Sequence, residues 1–247
     1  MRTKSLLGLT LATLAGIALL IGLGVWQLDR LEWKERLIAR IEARIAQRPM
    51  SLQPAIALAR EGRNLSYVPL RVEGSFHNAR ERYLYALSLE GEPGWHVITP
   101  LETVDGDVVL VDRGFVPESL RDPSARPDSK IEQVVTVTGL IRMPEDPSLF
   151  VPDNDPEANQ WFTRDLQAMA RSMFPGGTVQ VAPFFLEATE SATPGGWPKG
   201  GQTRLKLPNN HLQYALTWFA LAAGLAAVYG VYVWGAYRVR EGGAGRP

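Results

Sequence analysis

Three imidazoles, His77, His96 and His211, are the side chains here best suited to metal ligation or to proton transfer near neutral pH. They stand in a chain of 247 residues that holds no cysteine. Without thiols there are no disulfides, no CxxC redox pairs, and no thiolate zinc or copper sites. Three histidines are too few for most metal clusters, and no closely spaced acidic set joins them. Signatures of common enzymes are missing too: there is no GxSxG elbow, no HExxH and no GxxxxGK[ST] loop. The run Gly195-Gly196-Trp197-Pro198-Lys199-Gly200-Gly201 lacks the Ser/Thr that follows GK in a phosphate loop, and no strand-loop-helix context surrounds it. It reads as a mobile connector with Trp197 at a membrane surface. His77 and His96 lie in or beside extended runs, where a structural or surface role is the commoner one.

Two long apolar runs must position whatever chemistry remains. Leu6 to Leu28 and Leu212 to Tyr237 carry no formal charge. About 30 Å of hydrocarbon needs about 20 helical residues rising about 1.5 Å each, so both runs read as membrane spans. Arg2 and Lys4 give the first a basic start, but its apolar stretch exceeds a signal-peptide core, and no small-x-small cleavage site follows before Trp26, Gln27 and Leu28. It is expected to be an uncleaved anchor in a bacterial cytoplasmic membrane. Small residues recur every four positions, at Gly8, Ala12 and Gly16 and at Ala222, Ala226 and Gly230. That spacing suits close packing of the two helices on each other, or of either one on a partner's helix or a flat ligand.

Two spans place both termini on one side and the intervening chain on the other. A bare count of nearby basic residues puts the intervening chain inside. A loop of this length is exported largely regardless of charge, however, and the short tails are basic, which favours tails inside and domain outside. With 26 Lys and Arg against 26 Asp and Glu, no bulk attraction to nucleic acid is expected. The expected organisation is an anchor over 1–28, a juxtamembrane helix over 29–48 ended by Pro49, a β-rich domain over 49–210, a second span over 211–237 and a tail over 238–247.

Within the domain the period becomes extended. Val68 to Phe76, Arg82 to Leu89, Trp95 to Leu101, Asp107 to Val116 and Val134 to Ile141 are rich in Val, Ile, Tyr and Phe, with turn residues between them. Gln160 to Phe174 reads as a helix stopped by Pro175-Gly176-Gly177, and Val181 to Ala188 as another strand. The fold class is therefore membrane-anchored α+β: two transmembrane helices flank a mostly antiparallel, barrel- or sandwich-like β domain with an inserted helix.

Several segments together resemble the surfeit-locus-protein-one assembly factors of cytochrome c oxidase. They are LGVWQLDR (Leu23 to Arg30), GWHVITPL (Gly94 to Leu101), VLVDRGFVP (Val109 to Pro117), NQWFTRD (Asn159 to Asp165) and GGWPKGGQTRLKLPNNHLQYALTWFALA (Gly195 to Ala222). The likeness covers nearly the whole chain, in order. Phe115 departs from the tryptophan expected after Arg113-Gly114. The resemblance implies a non-enzymatic role in respiratory chain complex IV biogenesis: a chaperone that helps haem a reach the largest oxidase subunit, with haem a synthase as a further candidate partner. It also implies a periplasmic domain on the bacterial inner membrane. The alternative is a cofactor-free scaffold that holds an oxidase assembly intermediate among membrane lipid.

The resemblance points to His211 as the haem iron contact. On a helix turning about 100° per residue, Ala215, Trp218, Ala222 and Ala226 fall within about 60° of it, a stripe of small side chains with one large aromatic. Neutral imidazole is a common haem ligand. Lys199, Arg204 and Lys206, just before the span, could meet propionates or, equally, lipid phosphates. Arg113 belongs to a family motif, but Asp112-Arg113-Gly114 in a strand also reads as an ion-paired residue beside a bulge at Gly114.

Overall fold

In the structure, a computed structural model describing residues 3–146, 149–177, 179–190, 196–202 and 208–243, both apolar runs are helical. The elements are α1 (Thr3–Ile45), α2 (Leu52–Arg60), β1 (Pro69–Phe76), β2 (Arg82–Leu87), β3 (Pro93–Glu102), β4 (Val108–Pro117), β5 (Val135–Arg142), β6 (Gln160–Trp161), α3 (Leu166–Met173), β7 (Val181–Ala188) and α4 (His211–Gly243). Two compact units result, one from Met1–Arg40 with Lys206–Pro247 and the other from Ile41–Leu205.

The first unit is a pair of membrane-spanning helices. Only 6% of the most apolar stretch of each is buried, unlike the core helices of a soluble domain. α1 turns Leu6, Thr10, Thr13, Ile17, Leu20, Gly24 and Gln27 inward, and α4 turns His211, Ala215, Trp218, Ala222, Leu225 and Tyr229. Steps of four and three alternate along both stripes, the spacing of a coiled-coil seam. The helices run antiparallel, since Gln27 meets His211 while Thr10 meets Tyr229. Gly24 leaves room for Phe219: a Cβ there would lie 2.5 Å from its ring, so the ring would have to move. The expected small-residue faces contribute only in part. Gly16 packs on Leu225 and Ala222 is buried, but Gly8, Ala12, Ala226 and Gly230 are exposed. A strict four-residue repeat drifts about 40° per step on a helix of about 3.6 residues per turn, and so leaves the seam.

The second unit begins with the last turn of α1, where the Gln47 amide donates to the Arg44 carbonyl at 3.1 Å before Pro49 prevents continuation. It is built on a seven-stranded sheet ordered β1-β5-β7-β4-β3-β2-β6, with an additional pairing between β1 and β3. β3 makes the closure possible by pairing with three strands, β4 along its length and β2 and β1 in succession. Its first half pairs with β2, from Pro93 to Ile98, and its last residues, Leu101 and Glu102, pair with Phe76 and Ser75. Strands β1, β5, β7, β4 and β3 thus form a ring. Pairing is antiparallel except between β4 and β7 and between β2 and β6. The mostly antiparallel, barrel-like domain between two membrane helices is the fold expected.

Two apolar layers fill and flank the ring. Leu52, Ala55, Ile56 and Ala59 of α2 pack with Leu70, Val72, Val109, Val111, Phe184 and Leu186. Met169 and Met173 of α3 pack with Ile98, Leu110, Trp161 and Phe185. At about 1.5–3 kcal/mol per fully buried large side chain, these layers supply the main drive for folding.

Two elements differ from expectation. α2 is additional to the predicted elements, although Leu52, Ala55, Ile56 and Ala59 carry helical spacing. The helix expected over Gln160 to Phe174 is confined to Leu166–Met173. Its first residues are held extended: Asn154 Oδ1 accepts from the Phe162 and Thr163 amides, β6 pairs with β2, and Asp165 caps the true start by accepting from the Ala168 amide.

Candidate functional site

His211 is the first residue of α4, and the first helical bond runs from the Tyr214 amide to the Asn210 carbonyl at 3.2 Å. The side chain is half-buried and turned to α1, with Nδ1 2.7 Å from Gln27 Oε1. A carbonyl oxygen only accepts, so Nδ1 is the donor of this contact, and the neutral ring in this arrangement has its lone pair on Nε2. Among the described residues Nε2 makes no hydrogen bond. One turn along, Ala215 is fully buried, and beyond it come half-buried Trp218 and buried Ala222. α1 covers this ledge of small residues; Ala226, expected to extend it, is exposed.

The other described candidates, Arg113 and Lys199, lie in the β domain. β4 bulges between His96↔Phe115 and Ile98↔Asp112, so that Arg113 and Gly114 together face Val97. Gly114 has φ of +114°, and a Cβ on it would fall 1.9 Å from the Lys199 carbonyl oxygen. Only glycine meets both demands. The gap is used: the amides of Phe115 and Lys199 each donate to the other's carbonyl at 2.9 Å. Trp197 packs against Tyr83, Trp95, Val97 and Val116, and Lys199 Nζ lies 4.6 Å from the Trp197 ring centre. Residues 196–201 are therefore docked on the barrel and are not the mobile connector expected. Arg204 and Lys206 fall outside the described residues.

The Arg113 side chain is buried, 3.4 Å from Glu81, donating to the Ser129 carbonyl at 2.5 Å and lying over Phe76. Arg126, also buried, shares the same carboxylate. Burial pushes the Arg113 guanidinium down to about 10, against the opposing pull of Glu81. Burial also raises the Tyr83 phenol to about 12, aided by Glu81. The bulge and the ion pair expected at Arg113-Gly114 are both present.

A second buried polar cluster joins three of the sequence motifs. Asp112 Oδ2 is 2.7 Å from His96 Nδ1 and 3.3 Å from Arg164, while Asp112 Oδ1 accepts from the Gly114 amide at 3.0 Å. Burial by itself would lower the His96 pKa, but the Asp112 carboxylate overcomes it and the net direction is upward. Burial would likewise raise Asp112, yet His96, Arg164 and the Gly114 amide hold it below the usual carboxylate range. The pair is thus disposed to be imidazolium and carboxylate, a form of histidine without a lone pair for a metal. His77 is also structural, in contact with Glu102 at 2.6 Å and edge-on to Phe174. Among the described residues no three His, Cys, Asp or Glu side chains gather as a metal site.

The sequence motifs gave no sign of two contacts, His211 with Gln27 and Asp112 with Arg164. Gln27 stands in the LGVWQLDR segment, and a charge-free amide inside a membrane span is the signal that could have marked it.

Fold and site together define a two-span membrane protein with a small barrel between its spans and an imidazole at the start of the second. The family model for the SURF1 family matches residues 14–223. Surfeit locus protein 1 of Homo sapiens is 38% identical over 229 residues, covering 86% of this chain and 72% of the relative. A SURF1-like protein of Monosiga brevicollis is 35% identical, covering 90% of this chain and 86% of the relative, and surfeit locus protein 1 of Takifugu rubripes is 34% identical, covering 89% and 92%. The chain belongs to the SURF1 family, whose members are known as cytochrome c oxidase assembly factors.

Proposed function

We propose that this protein, acting without catalysing a reaction, helps haem a reach the largest subunit of cytochrome c oxidase, and that His211 is the iron ligand. The observation that carries this reading is the state of that imidazole. Nδ1 is engaged by Gln27, Nε2 makes no hydrogen bond among the described residues, and the ring stands half-buried where α4 begins. This donor chemistry fits haem iron, which proximal imidazoles bind through a neutral nitrogen. Trp218 would flank the macrocycle. Lys199, Arg204, Lys206 and Arg113 are further candidates, by their charge, for the haem propionates. Haem a would supply the redox-active iron centre that the oxidase requires. Haem a synthase is the natural donor, and the address is the bacterial inner membrane with both termini cytoplasmic and the domain periplasmic.

Protein made in cells that synthesise haem a is expected to co-purify with a haem absorbance band, and His211→Ala to remove most of it. Unchanged occupancy in the variant would refute the assignment of His211. Because the chain has no cysteine, orientation is tested with one introduced thiol. Glu90→Cys, exposed on the β2–β3 turn, should react with an impermeant maleimide in intact spheroplasts. Labelling only after lysis would put the domain in the cytoplasm and remove the proposed hand-over.

One observation favours a cofactor-free scaffold instead. Ala215 and Ala222, the ledge on which a porphyrin was expected to rest, are already buried without it. Haem-free protein that still captures oxidase subunits and restores oxidase assembly would support the scaffold.

A further inference from the structure

We propose that Gln27 is the positioning residue for His211, selecting the tautomer that presents Nε2 and tuning the electron density the ring offers to iron. This rests on the reading of His211 as a haem ligand. The evidence is geometric. Gln27 Oε1 lies 2.7 Å from Nδ1, and an oxygen at that position requires the proton on Nδ1. In water the Nδ1–H and Nε2–H forms of imidazole interconvert freely, and only the Nδ1–H form leaves Nε2 free to bind a metal. An acceptor held by a second helix removes that choice before any ligand arrives. Metal-binding histidines commonly have such a partner on the other nitrogen, and its removal costs about 10–100-fold in metal affinity.

The charge of the acceptor matters as well. In the barrel, Asp112 faces His96 Nδ1 with a carboxylate and favours the protonated ring. Gln27 gives His211 an equally directed acceptor that orders the ring and carries no charge. A simple clamp between the helices does not require this pairing. Thr10 and Tyr229 already join α1 to α4 at the other end through two hydroxyls, and an interhelical bond of that kind contributes little to stability.

The test uses the full-length protein in detergent, with Gln27→Leu, Gln27→Glu and His211→Ala. In haem-free protein, side-chain 15N shifts of His211, assigned by their loss in His211→Ala, should report a protonated Nδ1 in the native chain. Gln27→Leu should show a mixture of tautomers. In protein loaded with haem a in the producing cells, Gln27→Leu should weaken retention by about 10–100-fold. Gln27→Glu should retain haem and favour the ferric form by about tenfold, a potential about 59 mV more negative. Native-like tautomer and potential in both Gln27 variants would overturn the role of Gln27 while leaving His211 as ligand. Full haem retention in His211→Ala would instead overturn the ligand reading itself, whatever the tautomer shows.

Discussion

His96 and His211 are each fixed through Nδ1, yet their surroundings give them opposite chemistry. His96 is buried in the barrel against a carboxylate that also holds Arg164 and the Gly114 amide. Its proton is part of an ion pair and its position helps shape β4. His211 is half-buried at the start of a membrane helix and faces a neutral amide. The charged acceptor favours the imidazolium form of His96, whereas the acceptor that faces His211 carries no charge. Residue type alone does not separate the two roles.

This contrast can be broken most forcefully at the bulge. Gly114→Val places a branched side chain at φ of +114° and onto the Lys199 carbonyl. Strain and overpacking together should cost roughly 4 kcal/mol, read as a large fall in the denaturation midpoint of the full-length protein in detergent. A midpoint within 1 kcal/mol of native would mean that the 196–201 segment detaches at little cost.

Asp112→Asn should cost about 3 kcal/mol, because it leaves buried His96 and Arg164 short of their shared anion. The same variant sharpens the comparison through pH. The raised His96 pKa gives stability present in full below about pH 6.5 and lost as pH rises through the folded-state value. The lowered Asp112 pKa gives stability present above about pH 4 and lost as pH falls through its folded-state value. Native stability should therefore decline on both sides of a window of roughly pH 4 to 6.5, and Asp112→Asn should flatten both slopes. Unaltered slopes would show that the pair does not titrate with folding.

The smallest effect is expected from Gln27→Leu on stability. It should change unfolding of the barrel by less than about 0.6 kcal/mol, the size of a typical interhelical bond in a membrane. A loss as large as that of Asp112→Asn would make Gln27 a structural residue of the same kind as Asp112.

What could be read from sequence follows from the range of the forces involved. The spans were legible because a long uncharged run has few alternatives, and β7 falls at Val181–Ala188 as expected because its apolar run is bounded by glycine and a charged turn. α2 was not, since its apolar stripe is short and follows directly on Pro49. The start of α3 was not legible either, because Asn154, which lies before the helix-like pattern, captures the amides of Phe162 and Thr163. Among site residues, the bulge at Gly114 was legible from its local motif. The meeting of His96, Asp112 and Arg164 was not, because it depends on the β3–β4 register and on the segment between β6 and α3 that carries Arg164. Gln27 escaped for a similar reason: its partner is set by how two helices distant in sequence align.

Tethered proteins share a two-dimensional crowd in which encounters between neighbours are frequent. An open sheet there would expose a row of amides and carbonyls to the next copy, inviting strand-to-strand zipping. By bending to reach both β2 and β1, β3 joins the five-strand ring to itself and withdraws those groups from passers-by. The aggregation hazard is left to β2, where β6 shields only Tyr83 and Leu84.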